Sequence, residues 1–355
     1  MANLILQGDG FIYHGFDLLF ESSLAISFDD IGTGGLSLNY LVLEGTTSVS
    51  IFSVGDVGGF NKLPQLAEAV NVLTTVTLKG SEPFILGSPA GASNAGDGVV
   101  TFIASGTLSP HLSSLKLIDA SATTGGVDIY AGATNTSSDG AFVDGGSLNA
   151  NLTITYTGLT IKGGSGNDII ENDAKKGIVT DGNGPADTVI LGGTGAKAIL
   201  GAGAHDVVAV GVSDLGTPEA AGAVLGDSVT FGNAAMAKLL VRTGAEAGST
   251  AGTASIGQTK VLHAADGMQI DFTTVTTSHF IFDATNTPTA VASATSLAAA
   301  ENAAVNAFGS SGVVYFSFHG NEYFIATDNA EAAVSSNDAI VKLVISTTPL
   351  TTSAW

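Results

Sequence analysis

Short runs in which apolar and polar residues alternate dominate the chain, separated by clusters of glycine, serine, asparagine and aspartate. Leu36 to Leu43, Val49 to Val54, Val99 to Ala104, Leu152 to Tyr156 and Ile340 to Ile345 read as strands bounded by turns. Two stretches carry a helical pattern instead: Leu63 to Leu73 (LPQLAEAVNVL), and Ser296 to Phe308, where Ser296 supplies an N-cap. The pattern predicts an all-β protein with few short helices. Glycine turns at Gly125, Gly145, Gly163, Gly182 and Gly201, spaced by 20, 18, 19 and 19 residues, give part of the chain a repeating frame. That frame predicts a parallel β-solenoid, or β-roll, over 114–231. It is flanked by an N-terminal β region (1–113), by further β repeats and a linker (232–295) and by a C-terminal β module (296–355).

Within the frame lies Gly163-Gly164-Ser165-Gly166-Asn167-Asp168-Ile169-Ile170-Glu171, which fits the calcium-binding nonapeptide G-G-x-G-x-D-x-U-x at every specified position. Looser copies run from Gly182 to Ile190 (GNGPADTVI) and from Gly201 to Ala209 (GAGAHDVVA). Asp168, Asp187 and Asp206 recur every 19 residues, as do Ile170, Val189 and Val208. The chemistry explains the spacing. Glycines let the turn backbone point carbonyl oxygens inward, aspartate adds a carboxylate, and the aliphatic residue starts a strand. Calcium takes six to eight oxygens, more than one turn offers, so a second turn stacked about 4.8 Å away must supply the rest. The expected ligands are Asp168, Asp187 and Asp206 with turn groups of Gly163, Ser165, Gly166, Gly182, Gly184, Gly201 and Gly203. Calcium is the expected cofactor. Asp168 with Asp187, and Asp187 with Asp206, would flank two sites on one edge. On the opposite edge Gly192-Gly193-Thr194-Gly195-Ala196-Lys197 keeps the glycines but puts lysine at the aspartate position.

The nonapeptide, preceded by Leu159-Thr160-Ile161 and followed by its looser copies, resembles the repeats-in-toxin (RTX) proteins exported by type I secretion. Leu117 to Val127 (LIDASATTGGV) and Leu73 to Gly80 (LTTVTLKG) are similar to a recurrent β-repeat of RTX-type bacterial surface-layer (S-layer) proteins. Val314 to Asn329 and Ala339 to Leu343 resemble the C-terminal module of the same proteins. Lys197 and the shortness of the calcium array depart from the family pattern. The resemblance implies a C-terminal secretion signal, an extracellular or cell-surface location and passage through the type I machinery. It also implies self-association into a homopolymer, with cell-surface polysaccharide as a further partner class.

Composition changes the picture in three ways. Lys and Arg number 11 against 32 Asp and Glu, a net charge of −21 that disfavours nucleic acid and anionic membrane and favours cations. With 45% hydrophobic and 12% charged residues the chain can fold around a large core. The absence of cysteine excludes disulfides, thiolate catalysis and cysteine-ligated metals. No segment approaches the ~18 apolar residues of a membrane span. Met1 to Gly10 lacks the basic n-region of a signal peptide.

Catalytic motifs are missing: there is no H-E-x-x-H helix, no G-x-S-x-G elbow and no G-x-x-x-x-G-K-[ST] loop. His14, His111, His205, His263, His279 and His319 are scattered singly, and Asp29-Asp30 or Asp139 with Asp144 read as turn residues or further ligands. No catalytic or organic-cofactor-binding residue is expected. The sequence therefore favours a secreted, calcium-dependent structural protein forming a surface layer or filament. Two other readings remain: a secreted polysaccharide lyase or epimerase that carries an RTX segment for export, and a solenoid adhesin or ice-binding protein with threonine-rich faces (Thr273-Thr274, Thr276-Thr277). The former would need clustered basic residues, and Lys175-Lys176 is the only adjacent pair.

Overall fold

The computed structural model describes residues 2–13, 16–19, 22–39, 41–55, 59–64, 66–68, 72–87, 114–131, 134–135, 141–142, 146–147, 152–153, 158–172, 174–192, 195–210, 212–213, 217–218, 227–233, 236–241, 259–264, 268–272, 279–281, 287–327, 332–334 and 338–345. Val99 to Ala104, Tyr156, His14, His111, Asp139, Asp144, Thr273-Thr274 and Thr276-Thr277 lie outside them. The chain divides into two compact units, 1–190 and 191–355.

The first unit is a parallel solenoid. Ala2–Gly8, Ser23–Asp30, Ser48–Gly55, Thr75–Gly80, Leu117–Thr123, Thr160–Lys162 and Ile178–Thr180 pair in parallel, each with the next, to form one sheet. A second sheet runs through Ile12–Tyr13, Ser37–Leu38, Asn61–Leu63, Phe84–Leu86, Val127–Ala131, Ile169–Asn172 and Thr188–Leu191. A third, Phe16–Leu19, Leu41–Glu44 and Leu66–Glu68, lines the first three coils. Among the described residues these strands make seven coils, beginning at Ala2, well upstream of 114.

Alternation sets the orientation of every strand. In Ser23–Asp30 (SLAISFDD) Leu24, Ile26 and Phe28 turn inward and the serines turn out. Register then stacks like on like: Leu24, Val49, Val76, Ile118, Ile161 and Val179 form one buried column. Leu63, Leu86, Ile129 and Ile170 form the facing one. Each such side chain contributes about 1.5–3 kcal/mol of burial, so the columns hold the coils together.

The helix expected over Leu63 to Leu73 is not formed. Asn61–Leu63 and Leu66–Glu68 are strands, with Leu66 paired to Leu41. Ala, Gln and Glu give this stretch helical propensity, but register pairing against preformed coils outweighs a preference of a few tenths of a kcal/mol per residue.

The second unit stacks Lys197–Ile199, Ser228–Thr230 and Thr259–Ala264 in one parallel ladder and Val207–Val210, Lys238–Val241 and Gln269–Phe272 in another. The parallel repeat thus extends beyond 231. Ala339–Ile345 adds to Thr259–Ala264 in parallel and then pairs antiparallel with Asn321–Thr327, which pairs antiparallel with Gly312–Phe318. The helix Leu297–Phe308 packs on this antiparallel piece through Ala300, Ala304 and Val305 against Val314, Phe316 and Ile325. Ser296 caps it as expected, its hydroxyl accepting the Ala299 N–H at 3.2 Å. Among the described residues no helix is long and apolar enough to cross a membrane.

Candidate metal centre

One edge of the first unit, where the first sheet hands over to the second, carries the predicted turns. Thr160–Lys162 ends at Gly163 and Ile169–Asn172 starts after Asp168; one coil on, Ile178–Thr180 ends at Asp181 and Thr188–Leu191 starts after Asp187. The register Lys162 to Thr180 places Asp181 opposite Gly163. The turns stack closely. A Cβ on Gly182 would run into the Gly164 carbonyl, and one on Gly184 would meet the Gly166 carbonyl and lie 2.7 Å from Asp187 Oδ2. Glycine is required there by space, whatever the backbone angle.

The stacking revises the alignment of the second turn. By its sequence Gly182 matches Gly163; in the fold Gly182 lies over Gly164 and Gly184 over Gly166, so Asp181 occupies the place of the motif's first glycine. The step is 181 − 163 = 18 residues on the first sheet and 187 − 168 = 19 on the second. The second turn holds one residue more. Gly163 provides the room: a Cβ there would sit 2.6 Å from Asp168 Oδ2 and would collide with the Asp181 carboxylate.

One carboxylate oxygen from each of Asp168, Asp181 and Asp187 therefore comes within 4.8 Å of the others, and all three residues are buried. Asp168 accepts the Val127 N–H at 3.0 Å and the Gly164 N–H at 2.6 Å. Asp187 accepts the Asp168 N–H at 2.9 Å. Asp181 accepts the Gly182 N–H at 2.9 Å through Oδ1, while its buried Oδ2 has no hydrogen-bond partner.

Capping a backbone N–H of the preceding coil is a structural job that needs no metal. In the second unit buried Asp227 does it for the Ala196 N–H at 2.8 Å. Three converging carboxylates are a different matter. Two unit charges no more than 4.8 Å apart repel by at least roughly 3 kcal/mol at an effective dielectric constant of ~20, and three ionised carboxylates would make three such pairs. Accordingly burial, then the hydrogen bond and charge of Asp187, then the charge of Asp168 push the Asp181 carboxyl up to about 10. Burial pushes Asp168 up to about 6, against the downward pull of its two N–H donors. Without a cation the cluster keeps a proton on Asp181 at neutral pH. An all-oxygen donor set with neighbouring Gly164 and Gly166 carbonyls suits a hard cation such as calcium.

Asp181 was not evident as a ligand from the nonapeptide; the 18-residue interval shared by Gly164 with Gly182 and Gly166 with Gly184 is the signal that marks it. Ser165 is exposed on the turn surface, with its hydroxyl 3.5 Å from the Thr123 carbonyl that it donates to. Gly201, Gly203 and Asp206 belong to the second unit. There Asp206 is buried, its carbonyl accepts the Lys238 N–H at 2.8 Å, and exposed His205 takes a left-handed φ of 68°. Lys197 is exposed at the start of its strand. Among the described residues no other group of three potential ligands converges in this way. Comparison with protein-family models, with curated proteins and with solved structures gave no match, so the chemistry of the site stands on its own residues.

Proposed function

We propose that the chain is a secreted structural protein of RTX type that completes its solenoid on meeting calcium outside the cell and self-associates into a surface layer or extracellular filament. The observation that supports this reading is the stacked pair of glycine turns with Asp168, Asp181 and Asp187 converging between them. Low cytosolic calcium would leave that edge electrostatically strained and the chain threadable by the type I machinery; extracellular calcium would close it. A charge of −21 makes the cation useful a second time, as a screen and bridge between subunits, and leaves cell-surface polysaccharide as an anchor of the same cation-mediated kind. Calcium titration by calorimetry, followed by negative-stain microscopy in calcium and in chelator, tests it: binding at 10⁻⁴–10⁻³ M (order of magnitude) and ordered polymers only with calcium are expected. Protein that binds calcium yet stays monomeric would remove the structural role.

A secreted enzyme is the alternative. Asp128, Tyr130 and Glu171, which the second sheet brings together, are the acid and phenol groups such a reading would use. Burial, then the charges of Asp128 and Glu171, push the Tyr130 hydroxyl up to about 12, which makes it a poor base at neutral pH.

A further inference from the structure

The calcium reading above leaves open which residues set the strength and selectivity of the site, and the fold singles out one that the motif does not contain. Asp181 stands where the nonapeptide has its first glycine, reaches into the space that Gly163 leaves vacant, and buries an oxygen that no donor satisfies. We propose that Asp181 is the third carboxylate ligand of a single trianionic cation site between the sixth and seventh coils, and that it gives this site its preference for calcium over magnesium and for trivalent lanthanides over both. This rests on the calcium reading of the turns and adds to it.

Three observations carry the step. The first is the unsatisfied Oδ2: a carboxylate oxygen that is buried without a donor is costly, and a cation is the partner that would satisfy it together with the facing oxygens of Asp168 and Asp187. The second is hydration. Magnesium gives up its waters reluctantly, whereas calcium accepts a flexible set of protein oxygens, and here three buried carboxylates offer oxygens within 4.8 Å of one another between closely stacked turns. The third is charge. Three carboxylates leave one negative charge uncompensated around a divalent ion and none around a trivalent ion, and a buried residual charge is penalised. The motif's ordinary glycine at this position would give a dianionic site without that bias. The residue 19 positions after Asp181 is Leu200, so the sequence does not repeat the feature in the following turn.

The test uses the full chain, stripped of metal, as wild type, Asp181→Asn and Asp181→Gly, the last restoring the motif's glycine. Calorimetric titration with calcium, magnesium and lanthanum is paired with thermal melting in chelator and in calcium. The expected result is calcium binding by wild type at about 10⁻⁴–10⁻³ M, weakened at least about tenfold in Asp181→Asn, since loss of one ligand charge next to a divalent ion exceeds 1.4 kcal/mol at these distances. Lanthanum binding should fall by a larger factor than calcium binding. Melting in chelator should not drop in either variant, because a carboxylate has been taken out of a crowded acid group, and the calcium-induced rise in Tm should shrink. That pattern separates a ligand from a residue that merely supports the turn, which would lower the chelator Tm. Equal calcium affinity in wild type and Asp181→Asn would overturn the inference while leaving the calcium reading intact. Wild type that binds no calcium would overturn both.

Discussion

The same edge of the first unit is built in two ways. In the third coil Asn61 fills the corner: its Oδ1 accepts the Leu36 N–H at 2.9 Å, and its Nδ2 donates to Ser53 Oγ at 2.9 Å. By the register of the second sheet, Asn61, Phe84, Val127 and then Asp168 occupy one column. In the sixth coil Asp168 caps the Val127 N–H just as Asn61 caps that of Leu36, yet here the capping group is charged and two further carboxylates face it. An amide thus suffices for the architecture. What the aspartates add is charge that a bound cation would balance, so the proposed calcium dependence is expected in the sixth and seventh coils and not in the solenoid as such.

The largest expected effect follows directly. Hydrogen exchange in chelator should open amides of 159–191 while those of Ser23–Asp30, Ser48–Gly55 and Thr75–Gly80 keep their protection, because among the described residues no group of carboxylates converges in the latter coils and apolar columns hold them. Uniform loss of protection along the first unit would show that calcium controls the whole fold and would end the distinction.

Exchanging the two corner residues sharpens it. Asn61→Asp puts a charge beside Ser53 in a 1% exposed position and should cost about 2–4 kcal/mol that calcium does not return. Asp168→Asn keeps an oxygen for the Val127 N–H but turns its NH2 toward the Gly164 N–H, a loss that relief of charge repulsion offsets, so in chelator it should melt near wild type, with the calcium-induced shift largely gone. Urea unfolding midpoints of both variants with and without calcium check this; calcium rescue of Asn61→Asp would mean that the third coil also offers cation ligands.

These two corners differ in how far they could be read in advance. The turn Gly163 to Asp168 and the 19-residue recurrence of aspartate are plain in the chain because each glycine and carboxylate is chemically indispensable. Asp181 is hidden by one extra residue in its own turn, which keeps aspartate in phase while shifting the glycines by one. The first four coils lack the motif altogether. Their corners use Asn61, Ser53 and Asp30, with Asp30 accepting N–H bonds from Gly35 and Gly32 at 2.9 and 3.2 Å, and such neutral or local solutions leave no fixed spacing to detect. Leu66–Glu68 shows the same limit: strand pairing with Leu41–Glu44 is a property of the stacked coil and not of the segment.

A smaller effect is expected from filling the space between the turns. Gly163→Ala would push its methyl group into the Asp181 and Asp168 carboxylates, and should cost about 1–3 kcal/mol with a matching loss of calcium affinity. Gly45, with nothing within 4 Å of its Cβ position but a φ of 77°, provides the contrast: Gly45→Ala should lower stability by backbone strain alone and leave calcium binding unchanged. Calorimetry of both variants separates crowding at the site from strain elsewhere, and equal calcium affinities would place the cation away from Gly163.

The mildest test varies only pH. An ordinary aspartate releases its proton near 3.8, whereas in the cation-free fold Asp168 holds its proton up to about 6 and Asp181 up to about 10. Above pH 4 the unfolded chain therefore binds fewer protons than the folded one, and stability from these groups falls as pH rises. The fall is steepest between pH 4 and 6, where both groups contribute, and continues above 6 through Asp181 alone at no more than about 1.4 kcal/mol per pH unit. Calcium replaces the retained protons, so in excess calcium this decline should vanish between pH 6 and 8, and binding near pH 7 should release about one proton. Denaturation midpoints at pH 5, 6, 7 and 8 in chelator and in calcium, with proton release read from calorimetry in buffers of different ionisation enthalpy, give both numbers. Metal-free protein that gains stability from pH 5 to 7 would mean that the three carboxylates do not share a buried site, and the contrast between the two corners would then lie in hydrogen bonding alone.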